Sequence, residues 1–188
     1  MIDAMGDHPS DAGSDSGSAA AAAADSRARR EREAQRLREL IAFGEGRLDI
    51  PVLDAAGIAD LLRTSGRIAM IGASSNPSRP SNDVFASLRG AGYDVVPVSP
   101  TETEVEGVAA YPTLAEAVAA TGPFDIIDVF RRAEFCPEHA REAVAAGARC
   151  LWLQLGIVSA EAARIAIDGG LSVVMDRCTK VEVARIGR

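Results

Sequence analysis

The chain has 188 residues, 47% of them hydrophobic, and a formal net charge of -7 at pH 7. This acidic balance argues against broad binding to nucleic acids or anionic membranes, because both surfaces would repel the protein. No apolar run approaches the roughly 20 residues of a membrane-spanning helix, and the three cysteines form no CxxC pair. We therefore expect a reduced, cytoplasmic protein with one folded domain of about 130 to 140 residues.

The N-terminal part of the chain has little to bury. Residues 1–25 are mainly Asp, Gly, Ser and Ala, and they predict a disordered leader, because the Ala run is too short and isolated for a stable helix in water. Residues 26–49 predict a helix over Ser26–Phe43 and a linker. The helix arginines offer an alternative contact with RNA, which the interleaved Glu residues weaken. The apolar residues lie in the last turns, which predicts docking by these turns: Leu37, Leu40, Ile41 and Phe43.

Residues 50–188 alternate between short apolar runs and amphipathic stretches. The apolar runs predict five strands: Arg67–Ile71, Asp94–Val98, Asp125–Phe130, Arg149–Leu155 and Leu171–Met175. The stretches around them predict helices: Ala55–Arg63 with Asp54 as its N-cap, Asn82–Ala91, Thr113–Ala120, Glu134–Ala146, Ser159–Asp168 and Lys180–Ile186. Because the strands are apolar nearly throughout, we predict a doubly wound α/β domain with a five-stranded parallel sheet. The expected strand order is third, second, first, fourth, fifth, with right-handed crossovers.

The segment after the first predicted strand is typical of a phosphate-binding turn. Gly72 and a polar loop separate this strand from the next helix, so backbone N–H groups and the positive end of the helix dipole face one point. In a parallel sheet the ends of the other strands lie at the same edge. They carry further polar, cationic and glycine residues: Ser99, Arg131, Arg132, Gln154, Gly156 and Arg177. The sequence therefore predicts a site for a phosphate-bearing ligand at this edge.

The glycine pattern of the loop separates the candidate nucleotides. An NAD site is typically marked by G-x-G-x-x-G after the first strand and an acidic residue at the tip of the second. This chain has only Gly72 of those glycines, and its second strand ends in Val98, Ser99 and Pro100. A P-loop is excluded because the chain has no GK[ST] sequence. Arg79 is a planar cation that can hold phosphate oxygens bidentately, as a ligand with an additional phosphate requires.

Five stretches of the chain, taken together, resemble a known family. They lie within about residues 68–183 and read IAMIGASSNPSRPSNDV, GYDVVPVSP, DIIDVFRR, LWLQLGI and VVMDRC. They are similar to stand-alone CoA-binding proteins related to the N-terminal domain of the succinyl-CoA synthetase alpha subunit. The resemblance implies a Rossmann-like domain over residues 50–188 that binds coenzyme A through its first loop and its second and third strand tips. The CoA-binding residues that it implies are Gly72, Ala73, Ser74, Arg79, Pro80, Ser81, Val98, Ser99, Pro100, Val129, Phe130 and Arg131.

The chain also departs from this resemblance. Ser99 stands where the family usually has Asn, and Thr179 stands where Pro is common. The synthetase subunit continues into a domain with a phosphorylated histidine, whereas the histidines here are His8 in the leader and His139 within a predicted helix. We therefore expect a non-catalytic protein that binds CoA or an acyl-CoA, with an unknown protein partner. The alternatives are an NAD(P)-linked oxidoreductase, a partner subunit of an acyl-CoA ligase, or an interaction protein acting through its arginine-rich helix.

Two further residues near the strand ends are candidates for a special role. Asp128 lies inside the third predicted strand, where an unpaired carboxylate would be costly, so we expect it to accept hydrogen bonds from a neighbouring loop. Cys178 follows the fifth strand between Arg177 and Lys180, where positive charge favours the thiolate. It is a candidate for a mixed disulfide with CoA. Packing beneath the last helix is the alternative.

Overall fold

The computed structural model describes residues 15–188. Within them the helices are α1 (Asp15–Gly44), α2 (Ala55–Thr64), α3 (Pro80–Gly90), α4 (Leu114–Thr121), α5 (Cys136–Ala145), α6 (Ala160–Asp168) and α7 (Thr179–Arg185). The strands are β1 (Arg67–Ile71), β2 (Asp94–Val98), β3 (Glu104–Val105), β4 (Val108–Ala109), β5 (Ile126–Val129), β6 (Cys150–Leu153) and β7 (Ser172–Val174). The two-residue strands β3 and β4 form a separate antiparallel pair.

The other five strands form one parallel sheet in the order β2-β1-β5-β6-β7. In its register Met70 of β1 lies beside Pro97 of β2 on one side and Asp128 of β5 on the other. Helices cover both faces of this sheet. The predicted Rossmann-like, doubly wound domain with five parallel strands is therefore confirmed.

The predicted order of the strands is wrong at one position. We expected the third strand to lie outside the second, whereas β5 pairs with β1 on the side opposite β2. The helices decide this, because α3 packs Phe85 against one face of the sheet and α4 packs Leu114 against the other. Since crossovers between parallel strands are right-handed, a change of face reverses the direction in which the chain crosses the sheet.

The core fills both faces of the sheet. In β1, Ile68 and Met70 face the layer of α2, α3 and α7, whereas Ala69 and Ile71 face the layer of α4, α5 and α6. All four residues are buried. A strand covered on both faces favours apolar side chains at successive positions, which explains why this run shows no alternation with polar residues.

The helix α1 begins earlier than predicted. It starts at Asp15 rather than Ser26, so the part of the expected disordered leader over residues 15–25 is helical, and residues 1–14 lie outside the described residues. Ala has the highest helix propensity, and the Ala run here extends a helix that its tertiary contacts already nucleate. An isolated Ala run would have to nucleate a helix by itself, and the prediction of disorder over residues 15–25 treated the run as isolated.

The last turns of α1 hold it against the domain. Leu40 and Phe43 pack on the core, and Arg36 Nη2 donates a hydrogen bond of 3.2 Å to the carbonyl oxygen of Gly156. Glu39 Oε2 accepts a bond of 3.1 Å from the N–H of Ala160, at the start of α6, where N–H groups lack partners within the helix. Among the helices of residues 15–188, none combines the length and the apolar character that crossing a membrane requires.

Candidate functional site

The carboxyl ends of the parallel strands open into a cleft of about 550 Å³. It lies beside the point at which the chain reverses direction across the sheet, between β1 and β5. Doubly wound sheets bind their ligands at this point, because the loops on either side diverge to opposite faces. The loops after five strands, together with α3, supply the walls of the cleft.

The structure brings most of the predicted binding residues together at this cleft. Val98 and Pro100 instead line a neighbouring cavity of about 130 Å³, which shares Gly72 and Arg131 with the cleft. Val129 is fully buried and lines neither space. The predicted residues that do line the cleft are Gly72, Ala73, Ser74, Arg79, Pro80, Ser81, Ser99, Phe130 and Arg131.

Gly72 is the residue that lets the first loop lie close to the tip of β5. Its φ is +81°, and a Cβ at this position would lie 2.7 Å from the carbonyl oxygen of Phe130 and 3.1 Å from Cδ of Arg131. The N–H of Gly72 donates a bond of 2.9 Å to the carbonyl oxygen of Val98, at the end of β2. A single glycine therefore joins three strand tips, and this position accepts no larger residue without displacing backbone.

The loop ends at α3, whose first turn faces the cleft. Arg79 is the N-cap residue in extended backbone conformation and gives the helix no side-chain cap, and Pro80 occupies the first turn. Asn82 fixes the loop, because its Nδ2 donates to the carbonyl oxygen of Ser74 (3.1 Å) and to Glu106 Oε1 (2.9 Å). The exposed guanidinium of Arg79 thus stands at the positive end of a helix, where an anion is stabilised.

Glu102 also lies at this loop, although it is not among the residues predicted from the sequence. Its carboxylate accepts hydrogen bonds from Ser75 Oγ (2.6 Å), the Ser75 N–H (3.1 Å) and Ser74 Oγ (3.1 Å). These bonds hold the pKa of Glu102 below its usual value. We looked for an acid at the tip of β2, but the chain places one four residues beyond Val98. The bend at Pro100 that returns this segment to the cleft leaves no periodic signal in the sequence.

Asp128, Gln154 and Thr179 form a polar cluster beneath the cleft. Asp128 is fully buried, and its carboxylate accepts hydrogen bonds from Gln154 Nε2 (2.7 and 3.0 Å) and Thr179 Oγ1 (3.0 Å). Burial raises the pKa of Asp128 to about 7, against the opposing effect of these bonds. The expected acceptor role of Asp128 is confirmed, with partners at the end of β6 and the start of α7. Gln154 lines the cleft, with Val84, Thr101, Leu155 and Cys178 as further lining residues.

Arg131 and Arg132 follow β5 but have different surroundings. Arg131 lines the cleft, with its guanidinium 5.4 Å from the centre of the Phe135 ring. Arg132 forms an ion pair of 3.1 Å with Glu134 and is not among the lining residues. Of the two arginines, Arg131 is therefore the one available to a ligand in the cleft.

Cys178 lines the cleft as a free, half-buried thiol. Both neighbouring cations are engaged: Arg177 with Glu182 at 3.3 Å and Lys180 with Asp83 at 2.8 Å. The positive charge that we expected to activate this thiol is therefore compensated by carboxylates. Cys178 also packs against the core on the α7 side of the sheet, as the packing alternative predicts. The mixed disulfide with CoA stays a prediction, supported by position alone.

Comparisons of the sequence found one family model and one relative. A family model described as a CoA binding domain matches residues 66–184. The protein YneT of Bacillus subtilis (strain 168) is 41% identical over 126 residues, which cover 67% of this chain and 91% of YneT.

Solved structures agree with the fold. A protein from Pyrococcus horikoshii OT3 is 32% identical with a TM-score of 0.68, covering 72% of this chain and 94% of that one. Cell-free ID.343 from Thermus thermophilus is 34% identical with a TM-score of 0.66, covering 71% and 99%. A dinucleotide-forming acetyl-coenzyme A synthetase 1 of Ca. Korarchaeum cryptofilum is 22% identical with a TM-score of 0.52, covering 62% of this chain and 28% of that one. At that identity the likeness concerns the fold alone.

Proposed function

The chain belongs to the CoA binding domain family, and from this premise we propose that it is a non-catalytic protein that binds coenzyme A or an acyl-CoA in the cleft. The observation that carries the proposal is the joining of the β1–α3 loop and two arginines at one cleft. Arg79 and Arg131 both line it, and among the described residues neither forms an ion pair with a carboxylate. In a chain of net charge -7, two cations without an ion pair, Arg79 at the start of α3 and Arg131 after β5, favour a phosphate-bearing ligand.

The proposed binding residues keep the assignments that the family resemblance implies. The first loop and the start of α3 would hold phosphates through backbone N–H groups, hydroxyls and Arg79. The tips of β2 and β5 would frame the nucleoside, with the buried Val129 acting through its backbone. The full set is Gly72, Ala73, Ser74, Arg79, Pro80, Ser81, Val98, Ser99, Pro100, Val129, Phe130 and Arg131.

The positions of the titratable groups support binding without catalysis. A general acid or base must reach the reacting atoms of its substrate. His139 lies outside the cleft, with Nδ1 2.8 Å from Glu142 Oε2 in α5, and Asp128 is enclosed by its partners. Glu102 does line the cleft, but its carboxylate is engaged in holding the loop.

A second candidate function is NAD(P) binding, and Glu102 is the observation that favours it. Dinucleotide sites use an acidic residue beyond the second strand to hold ribose hydroxyls. Glu102 lies beyond β2 and already accepts hydrogen bonds from the hydroxyls of Ser74 and Ser75. The same carboxylate would repel a phosphate at the loop, so CoA and NAD predict opposite effects of removing its charge.

The first prediction compares the two ligands by thermal unfolding. CoA at about 100 times its Kd should add about 2.7 kcal/mol of stability and raise Tm by about 5–10 °C, whereas NAD and NADP should leave Tm unchanged.

Glu102→Gln should tighten CoA binding about threefold, since a like charge near a phosphate is removed. Glu104→Gln, at the exposed first position of β3, is the matched control and should change nothing. Stabilisation by NAD that is lost in Glu102→Gln would instead identify a dinucleotide site.

We also propose that the protein acts in the cytoplasm. Cys136, Cys150 and Cys178 are free, and a reducing compartment preserves free thiols. Fractionation of cells expressing the full chain would test this, and recovery outside the cytoplasm would contradict it.

A further inference from the structure

The far end of the cleft holds a buried amide whose orientation is fixed. Gln154 is 4% exposed and lines the cleft at the end of β6. Its Nε2 donates to both oxygens of Asp128 (2.7 and 3.0 Å) and to Thr179 Oγ1 (2.6 Å). The Thr179 hydroxyl in turn donates to Asp128 Oδ2 (3.0 Å). Both amide hydrogens are therefore directed inward, toward a carboxylate that can only accept when ionised.

This arrangement leaves the other polar atom of the amide for the cleft. The side-chain hydrogen bonds of Gln154 within residues 15–188 all involve Nε2. The carbonyl oxygen Oε1 is thus an acceptor without a protein donor, on a side chain that borders an open space. Among the described residues, Ser65 Oγ is the buried side-chain polar atom without a partner, so Gln154 Oε1 reaches the solvent of the cleft. A ligand that supplies a donor replaces water at an acceptor whose orientation is already fixed.

The distance from the first loop fits a long ligand. In the sheet order, β5 separates β1 from β6. Adjacent strands lie about 4.8 Å apart, so the end of β6 is about 10 Å from the end of β1. A ligand with its phosphate at the β1–α3 loop reaches Gln154 only through an extended arm. Leu155 and Cys178 line the same end of the cleft, so the surroundings of the amide are otherwise weakly polar.

We propose that Gln154 Oε1 accepts a hydrogen bond from an amide N–H or thiol S–H on the arm of the bound ligand, with Asp128 and Thr179 as positioning residues. This inference rests on the proposed CoA function and adds which residue of the cleft recognises the arm of the ligand. The arm of CoA carries amide N–H groups and ends in a thiol, so it offers both donors. A nucleotide that stops at the phosphates does not reach this subsite. The cleft therefore distinguishes ligands with a donor-bearing arm from those without one.

The test compares CoA with adenosine 3′,5′-bisphosphate, which has no arm, by calorimetry on the full chain. Gln154→Met keeps the side-chain length and removes the acceptor, and it should weaken CoA about 3- to 10-fold while leaving the bisphosphate unchanged. Thr179→Val loosens the amide without altering the cleft wall and should produce a smaller loss of the same kind. Gln35→Met makes the same substitution on exposed α1 and should affect neither ligand.

The outcomes separate this inference from the function on which it rests. Failure of the wild-type chain to bind CoA overturns the proposed function and the inference together. Normal CoA binding with no loss in Gln154→Met, or equal losses for both ligands, overturns the inference alone. Acetyl-CoA identifies the donor: the same loss as for CoA indicates an amide N–H, and no loss indicates the thiol. If Gln154→Met does not fold, the ratio of the two affinities in Thr179→Val decides in the same way.

Discussion

The two arginines of the cleft differ in how firmly the protein holds them. Arg131 lies over the ring of Phe135, which restricts its guanidinium by a cation–π contact. Arg79 is exposed at the start of α3 and bonds the described residues through its backbone: its N–H donates to Asn76 O, and its carbonyl oxygen accepts from the Asn82 N–H, each at 3.0 Å. The freer of the two is therefore Arg79, and it can follow a phosphate that approaches the loop.

A prediction at this scale is that Arg79→Ala weakens CoA more than dephospho-CoA. Loss of a charge-assisted hydrogen bond costs about 1.5–3 kcal/mol, or about 10- to 150-fold in Kd by calorimetry. Arg132→Ala is the control, because Arg132 pairs with Glu134 away from the cleft. Equal losses for the two ligands would assign Arg79 to the pyrophosphate, and no loss would remove it from the site.

Buried Asp128 gives a second prediction, on stability against pH. Its pKa is raised to about 7 in the folded protein, whereas an unfolded Asp titrates near 4. Between these values the unfolded chain loses its proton first, so this group's contribution to stability is full below about pH 4 and falls as pH rises to about 7. The fall amounts to about 4 kcal/mol, at about 1.4 kcal/mol for each pKa unit.

Asp128→Asn should remove this contribution, because the amide does not titrate. Urea unfolding of the wild-type protein and the variant between about pH 4 and pH 8 measures this contribution. The free energy of unfolding of the variant should increase relative to that of the wild-type protein as pH rises. A difference that stays constant over this range would show that Asp128 is ionised throughout, held by the hydrogen bonds of Gln154 and Thr179.

Among the elements, α1 owes its position to a few contacts near its C-terminal end. The contacts with the domain run from Arg32, which pairs with Glu134 at 3.6 Å, to Phe43 in the core. Residues 18–27 are exposed to solvent. An isolated helix is marginal in water, so α1 depends on this docked end.

We predict that deletion of residues 1–25 leaves both Tm and CoA affinity unchanged. Residues 18–25 are exposed, and the sequence of residues 1–25 has few large apolar side chains whose burial could offset the entropy of ordering the segment. Deletion of residues 1–45 is the comparison, and it should lower Tm because it uncovers the contacts of Leu40 and Phe43 and removes Glu39 from the start of α6. A fall in Tm with the shorter deletion, measured by calorimetry, would contradict this account.

At the scale of the whole molecule, the sequence by itself determined the class of fold. The nearly continuous apolar runs at β1, β5 and β6 reflect strands covered on both faces, and such strands are parallel and joined by helices. Gly72 after β1 located the edge of the sheet that carries the cleft, since a glycine between strand and helix marks a close backbone approach. These features are local, so one strand and the loop after it are enough to show them.

Only the tertiary structure decided the strand order and the full membership of the site. The order depends on which face each helix covers, and that choice leaves no trace in the periodicity of a single helix. Glu102 reaches the loop at Ser75 across 27 positions, and Gln154 meets Asp128 across 26. Such contacts come from the packing of distant segments. The sequence around a polar residue near a strand tip holds no pattern from which its hydrogen-bond partner could be predicted. The sequence alone therefore predicted the edge of the sheet at which the cleft lies, and the packed sheet decided which buried groups face the cleft.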